Sequence, residues 1–199
     1  MEKPLLFNKW DITEVRVKDA GLADKIGLNP VIVPRSGGRN TTISFHKSRM
    51  NIVERLVNRL MVPGHRGKRH KITSGRCSSK TSKITLETEK ALEKLEEKTK
   101  QNPVQVLVEA IENCALLEEV AAYRLGGIIA RKAVITSPQR RLDLALRHLT
   151  QGIYKVTFSK KITLADAIAD QVLAAYNKDP KCFAIQERQR MEKEAEGAR

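Results

Sequence analysis

The sequence predicts a mainly α-helical fold: a helical bundle domain that carries a projecting two-stranded β-hairpin and follows an extended basic N-terminal arm. Three observations carry that prediction. From Met50 onward, apolar residues recur at helical spacing in successive stretches. Between Glu119 and Thr136 the period switches to that of strands, around a Gly126-Gly127 pair. The core must also be aliphatic, because apolar residues make up 41% of the chain and aromatics only 4%, which suits packed helices. A chain of 199 residues is one ordinary domain with appendages, or at most two small domains. The boundaries read as an arm over 1–46 and a helical domain over 47–199, with the hairpin at about 119–136.

Residues 1–46 show little apolar periodicity. A short alternation, Ile12-Thr13-Glu14-Val15-Arg16-Val17, has the form of a strand. Breakers follow at Gly21, Gly27, Asn29-Pro30, Pro34 and Gly37-Gly38. This pattern suits an arm lying along a partner more than an independent fold, and its end, Pro34 to Asn40, reads as a flexible basic loop.

The first clear helix begins near Met50. Ile52, Leu56 and Leu60 form one row and Val53, Val57 and Met61 the adjacent one, with Arg55 and Arg59 on the polar face. Pro63-Gly64 stops it, and a basic loop from His65 to Lys71 follows. The second helix runs from about Ser82 to Lys100, solvated on one side, with Leu92 and Leu95 on the other. Asn102-Pro103 is an N-cap followed by proline at the first helical position. The third helix then places Val104, Leu107, Val108 and Ile111 on one face.

In the hairpin, the glycine turn sets Leu125 opposite Ile128, Arg124 opposite Ile129 and Ala122 opposite Arg131, so Arg124 and Arg131 share a face. A two-stranded ribbon is barely stable alone and in a helical protein tends to project as a finger. Packing on its own core is the alternative. Ser137-Pro138 opens the fourth helix, with Leu142, Ala145, Leu146 and Leu149 inward. Arg140 and Arg147 share an outward face that Arg141 borders, and His148 reads as a surface or RNA-facing residue. Thr163-Leu164-Ala165-Asp166 has the form of a capping box and opens a fifth helix striped with Ile168, Val172 and Ala175. Asp179-Pro180 breaks it, and Lys181 to Arg199 reads as a charged terminal helix.

Charge points to a partner. Between Arg35 and Lys83, a window of 49 residues, stand thirteen Lys or Arg and one acid, Glu54, for a net charge of +12. The other 150 residues carry 24 basic and 22 acidic side chains, a net of only +2. A local field of this strength calls for a polyanion, either nucleic acid or an anionic membrane. The membrane reading lacks support: no apolar run approaches the ~18 residues of a spanning helix, and the basic window holds no amphipathic helix rich in Trp and Phe. Pro4-Leu5-Leu6-Phe7 is too short for the apolar stretch of a signal peptide.

Chemistry is not indicated. Cys77, Cys114 and Cys182 are far apart and odd in number, without a Cys-x-x-Cys, and no His pairs with them at zinc spacing. Free thiols, no metal and no cofactor are expected. Gly64-His65-Arg66-Gly67-Lys68 fails as a phosphate loop, having two residues between its glycines instead of four and Arg69 after the lysine. The acid pairs Glu96-Glu97 and Glu118-Glu119 are adjacent, so on a helix they point apart.

Three blocks carry a resemblance. They are Met50-Asn51-Ile52-Val53-Glu54-Arg55-Leu56-Val57-Asn58-Arg59-Leu60-Met61, Asn102 through Asn113, and Ser137-Pro138-Gln139-Arg140-Arg141-Leu142-Asp143-Leu144-Ala145-Leu146-Arg147. In order and spacing, across about residues 45–199, the chain resembles the ribosomal small-subunit protein seven family in its archaeal and eukaryotic form. Leu6-Phe7-Asn8-Lys9-Trp10 adds a weaker likeness. The resemblance implies a helical domain with a β-ribbon between its middle helices. It implies binding to the 3′ major (head) domain of small-subunit rRNA, a part in nucleating head assembly, and a ribbon reaching toward the exit-site tRNA and the mRNA path. Neighbouring ribosomal proteins of the head and platform are the implied protein partners, and no homo-oligomer is expected. The chain departs from the family at Ala115-Leu116-Leu117-Glu118-Glu119, where relatives often carry a Pro-Arg pair, and in a tail less basic than usual.

The expected rRNA contacts are Arg35 and Arg39 in the first loop, Lys47 and Arg49 before the first helix, and Arg66, Lys68, Arg69, His70 and Lys71 in the second loop. Arg76, Lys80 and Lys83 follow, then Arg140, Arg141 and Arg147 on the fourth helix. The hairpin offers Arg124, Leu125, Gly126, Gly127, Ile128, Arg131 and Lys132 to tRNA and mRNA. The competing readings are a stand-alone RNA or DNA chaperone using the same patch and an RNA-modifying enzyme. The latter would need a cofactor pocket, for which there is no Gly-rich strand-turn-helix.

Overall fold

A computed structural model of the chain describes residues 4–38, 41–64 and 76–199. Seven α-helices and one two-stranded antiparallel sheet are present among these residues. A single turn, α1 (Ala20–Ala23), precedes a short 3-10 helix (His46–Arg49), after which come α2 (Ile52–Met61), α3 (Thr81–Thr99) and α4 (Pro103–Cys114). The hairpin strands β1 (Glu118–Leu125) and β2 (Ile128–Ile135) separate these from α5 (Pro138–Thr157), α6 (Leu164–Tyr176) and α7 (Phe183–Glu196).

The helix starts follow local chemistry. Asn51 accepts a hydrogen bond from the Val53 amide and Asn102 from the Val104 amide, each satisfying a donor that the first turn leaves unpaired. Pro103 and Pro138 take the first helical position, where their missing N–H is no loss. Thr163 Oγ1 accepts from the Asp166 amide at the start of α6.

α4 is the centre of the bundle. Val104, Val106, Leu107, Val108, Ala110 and Ile111 are fully buried, so the helix is enclosed on nearly every side, and it packs against α3, α5, α6 and α7. α5 presents Leu142, Ala145, Leu146 and Leu149 inward, as the spacing predicts.

The stretch before α2 has no long helix or strand, yet its apolar side chains enter the same core. Leu6, Trp10, Ile12, Leu22 and Ile26 are buried in it. The Trp10 indole N–H donates to Glu96 of α3 at 2.9 Å. The alternation from Ile12 to Val17 is not a strand. A turn breaks it, with Val15 N–H donating to the Ile12 carbonyl at 3.1 Å and Thr13 N–H to Asp11 Oδ1 at 2.7 Å; beyond the turn α4 side chains take over, Gln105 accepting from Arg16 N–H at 2.8 Å and Glu112 from Lys18 and Asp19 N–H at 2.7 and 2.9 Å. Amides satisfied by a local turn and by side chains have no need of a neighbouring strand. Gly27 marks where this segment crosses the start of α2. Its carbonyl accepts from Ile52 N–H, and a Cβ there would stand 2.2 Å from the Met50 carbonyl oxygen.

The hairpin has the expected register, with Leu125 opposite Ile128, Arg124 opposite Ile129 and Ala122 opposite Arg131. Gly126 sits at φ +60°, a conformation open to glycine and costly for a side chain with a Cβ. The terminal helix α7 runs beside the base of the ribbon: Arg199 donates to both Glu118 carboxylate oxygens at 2.7 Å, and Ala133 N–H reaches the Ala198 carbonyl.

Candidate nucleic-acid interface

Two helical rungs face each other between α2 and α5. On α2, Arg55 and Arg59 are four residues apart and therefore stacked; on α5, Asp143 and Arg147 are likewise four apart. In the first rung the arginine is paired. Arg55 Nη2 donates to Asp143 Oδ1 at 2.8 Å, Lys47 pairs with the other carboxylate oxygen, and Arg55 Nη1 reaches the Lys25 carbonyl at 3.1 Å. The second rung has no carboxylate of its own. Arg59 lies beside Arg147, and Arg59 Nε is buried with no hydrogen-bond partner among the described residues. Burial holds the Arg59 guanidinium below its ordinary pKa and the charge of Arg147 lowers it further, against the weaker pull of Asp143. Burial lowers Arg55 as well, against the pull of Asp143.

With Met50, Asn58 and Leu146, these residues line an open groove of about 390 Å³. It holds four cations, Lys47, Arg55, Arg59 and Arg147, and one carboxylate. Two like charges held together by packed helices repel, and a phosphate seated between them would turn that repulsion into attraction.

A second basic surface lies where α3 meets the start of α6. Arg76, Lys83, Lys90 and Lys94, with Glu87 among them, surround a recess of about 300 Å³ floored by Thr163, Leu164 and Ala165. Arg76 Nε donates to the Ile162 carbonyl at 3.2 Å, Lys94 pairs with Asp166, and Lys98 pairs with Asp170 at 2.8 Å. The positive end of the α6 dipole adds to the field here.

Of the residues predicted to meet RNA, Arg35, Lys47, Arg49, Arg76, Lys80, Lys83 and Arg147 are exposed. Arg39, Arg66, Lys68, Arg69, His70 and Lys71 lie outside the described residues. Arg140 is exposed but engaged, donating to both carboxylate oxygens of Glu119 at 2.5 and 2.7 Å. Arg141 requires correction. It is only 8% exposed, with Nε on the Leu116 carbonyl at 3.0 Å and Nη2 on Asp19 at 2.6 Å. His148, expected at the surface, is buried too. The reason is geometric: Arg141 and His148 are themselves two turns apart, one position round from Arg140 and Arg147, on the inner face of α5. Arg55 and Arg59, read only as a polar face, are the site residues that sequence reasoning passed over.

On the hairpin, Arg124, Arg131 and Lys132 are exposed, with Lys132 on the opposite face from the two arginines. Ile128 is 75% and Ile129 66% exposed, which leaves an apolar tip in water. Ile135 and Leu117 are exposed at the base, a feature the strand pattern did not announce. Among the described residues, no three or more His, Cys, Asp or Glu gather as a metal site, and no helix is long and apolar enough to cross a membrane.

A sequence profile described as ribosomal protein S7p/S5e matches residues 28–199. Small ribosomal subunit protein uS7 of Nanoarchaeum equitans is 44% identical over 200 aligned residues, covering 99% of this chain and 100% of the relative. The protein of the same name from Methanococcoides burtonii is 43% identical, covering 98% of each chain. That from Archaeoglobus fulgidus is 38% identical over 100% of this chain and 96% of its own.

Proposed function

The chain belongs to the ribosomal protein S7p/S5e family, and from that premise we propose that it binds the 3′ major domain of small-subunit rRNA through the basic face centred on the α2–α5 groove and helps nucleate the folding of the subunit head. It is a structural, non-enzymatic constituent of the small ribosomal subunit, of the archaeal type, and works in translation on the cytoplasmic ribosome.

The observation that carries the rRNA reading is the second rung, Arg59 beside Arg147, in a groove whose one carboxylate, Asp143, is already engaged by Arg55 and Lys47. Stability of the free chain gains nothing from two adjacent guanidinium groups, one with a buried nitrogen that has no partner among the described residues. RNA phosphate supplies the missing charge. The exposed cations Lys47, Arg49, Arg76, Lys80 and Lys83 extend the field on either side, and each neutralised phosphate contributes roughly 0.7 to 0.9 to the slope of log affinity against log salt.

The hairpin supports the second part of the proposal, that its tip lies near the exit-site tRNA and the mRNA path. An apolar tip flanked by arginines is suited to unstacked bases and phosphates. Neighbouring head and platform proteins are the proposed partners for exposed apolar positions at its base.

The test is binding of the full chain to a transcript of the small-subunit 3′ major domain, in competition with random RNA over a salt series. Preference for the transcript with a steep salt slope is expected. Equal affinity for both RNAs would instead mark a chaperone that uses the patch without a unique site.

A further inference from the structure

We infer that Phe45 is a stacking platform for one unpaired nucleobase of the RNA whose phosphates occupy the α2–α5 groove. This deepens the rRNA-binding reading and rests on it.

Phe45 is costly in the free chain on two counts. Its side chain is 78% exposed, although it is wholly apolar. Its backbone has φ 59° and ψ 7°, the left-handed region that a bulky residue rarely adopts. The local fold does not require a phenylalanine here. Phe45 caps the 3-10 helix through its carbonyl, which accepts from Ser48 N–H at 3.0 Å, and its side chain makes no capping hydrogen bond. Glycine would present the same carbonyl without the strain. A strained, exposed aromatic that the fold does not use points to a ligand.

The surroundings identify the ligand's chemistry. Lys47 and Arg49, on the same short helix, are exposed. Lys47 also lines the groove, two residues from Phe45, so the two Cα atoms are at most about 7 Å apart. A backbone separation of that order suits one nucleotide, with its base on the ring and its phosphate at the cations. The platform is held firmly: Lys47 pairs with Asp143, and Ser48 Oγ donates to Gln139 Oε1 at 2.5 Å, so both tie the short helix to α5. A backbone fixed in this way favours stacking because less freedom is lost on binding.

The experiment uses the full chain, a transcript of the small-subunit 3′ major domain and a salt series. Phe45→Ala should weaken binding by about 5- to 150-fold, the range for loss of one stacked base, with the salt slope unchanged because no charge is removed. Phe45→Leu keeps an apolar side chain but no ring face and should behave like the alanine variant. Phe45→Trp should bind at least as tightly as wild type, with its indole fluorescence quenched by RNA; Trp10 is buried and supplies only a constant background. Phe45→Gly should keep or raise the melting temperature while losing affinity like the alanine variant. Wild-type affinity in Phe45→Ala would overturn the inference and leave the rRNA reading intact. Wild-type affinity in Phe45→Leu would overturn it in favour of a plain apolar contact. A marked fall in the melting temperature of Phe45→Gly would overturn it in favour of a structural role. If the wild-type chain fails to prefer the transcript, it is the rRNA reading that fails.

Discussion

Arg141 Nη2 and Asp19 Oδ2 meet at 2.6 Å across 122 positions of sequence. The pair closes the N-terminal segment onto α5, while Arg141 Nε holds the Leu116 carbonyl just before the hairpin. One guanidinium therefore ties three stretches that share no local sequence relationship. Removing it strands Asp19 and a buried carbonyl.

Arg141→Met should cost about 2 kcal/mol. This is below the 3–5 kcal/mol of a broken, fully buried pair because Asp19 keeps some contact with water. For a chain of this size that lowers the melting temperature by roughly 4–8 °C. rRNA affinity of the folded variant should keep its salt slope, because this arginine faces inward. A variant that melts like wild type but binds with a shallower slope would show the opposite role.

The same pair has a pH signature. Burial pushes the Asp19 carboxyl up, but the bond from Arg141 and the Gly21 amide outweigh it, and the group sits below its ordinary 3.8. A carboxylate depressed in the folded state contributes stability that is fully present above its unfolded pKa and is lost as pH falls through the folded value. Denaturant unfolding should therefore show the Arg141–Asp19 contribution intact at pH 7 and declining only below about pH 4. Asp19→Asn should lower stability at pH 7 and narrow the gap between pH 7 and pH 3. An unchanged gap would mean that other carboxylates set the acid limb.

The groove makes a separable prediction. Arg59→Ala and Arg147→Ala should each weaken rRNA binding and reduce the salt slope by roughly 0.7 to 0.9. Each should leave the free chain as stable as wild type or slightly more so, because a like-charge contact is relieved. Melting and filter binding read these two effects separately. A variant with lower stability and an unaltered slope would show that the pair serves the fold.

These residues also show what a sequence can and cannot disclose. Helices α2 to α6 and the hairpin were legible because their signals are local: apolar rows at 3.6 spacing, Asn102-Pro103, Ser137-Pro138 and the Gly126-Gly127 turn. The hairpin register followed from the turn alone. The fate of each arginine was not legible in the same way. Arg140 and Arg141 are neighbours in sequence, yet one faces solvent and Glu119 while the other is buried on Asp19. Charge counting treats them alike, because only the packing of α5 against distant residues tells them apart. The four-residue spacings of Arg55 with Arg59 and of Asp143 with Arg147 were visible on each helix. That the two helices face each other, pairing one rung and leaving the next without a carboxylate of its own, is a tertiary fact. The stretch from Ile12 misled for a related reason: it opens with a turn from Ile12 to Val15, and from Arg16 to Asp19 its amides donate to side chains of α4, which no periodicity in the segment itself reveals.

The hairpin gives the last prediction. Its anchors lie at its base, where Arg199 holds Glu118, Ala133 meets the end of α7, and Arg140 clamps Glu119. Among the described residues its distal half has no such ties: Ile128 and Ile129 stand in water, and Arg124 and Arg131 share one exposed face. Deleting Tyr123 to Ala130 and bridging the ends with two glycines removes the tip and keeps every basal contact. Purified small subunits carrying this deletion should hold the protein at normal occupancy, because the groove proposed to bind rRNA lies elsewhere. They should release exit-site tRNA faster or handle mRNA differently, because bases and phosphates lose the apolar tip and its arginines. Occupancy and tRNA release, measured on the same subunits, separate the two roles. Loss of occupancy with an unfolded domain would make the ribbon structural, and normal tRNA and mRNA behaviour at full occupancy would remove it from the decoding path.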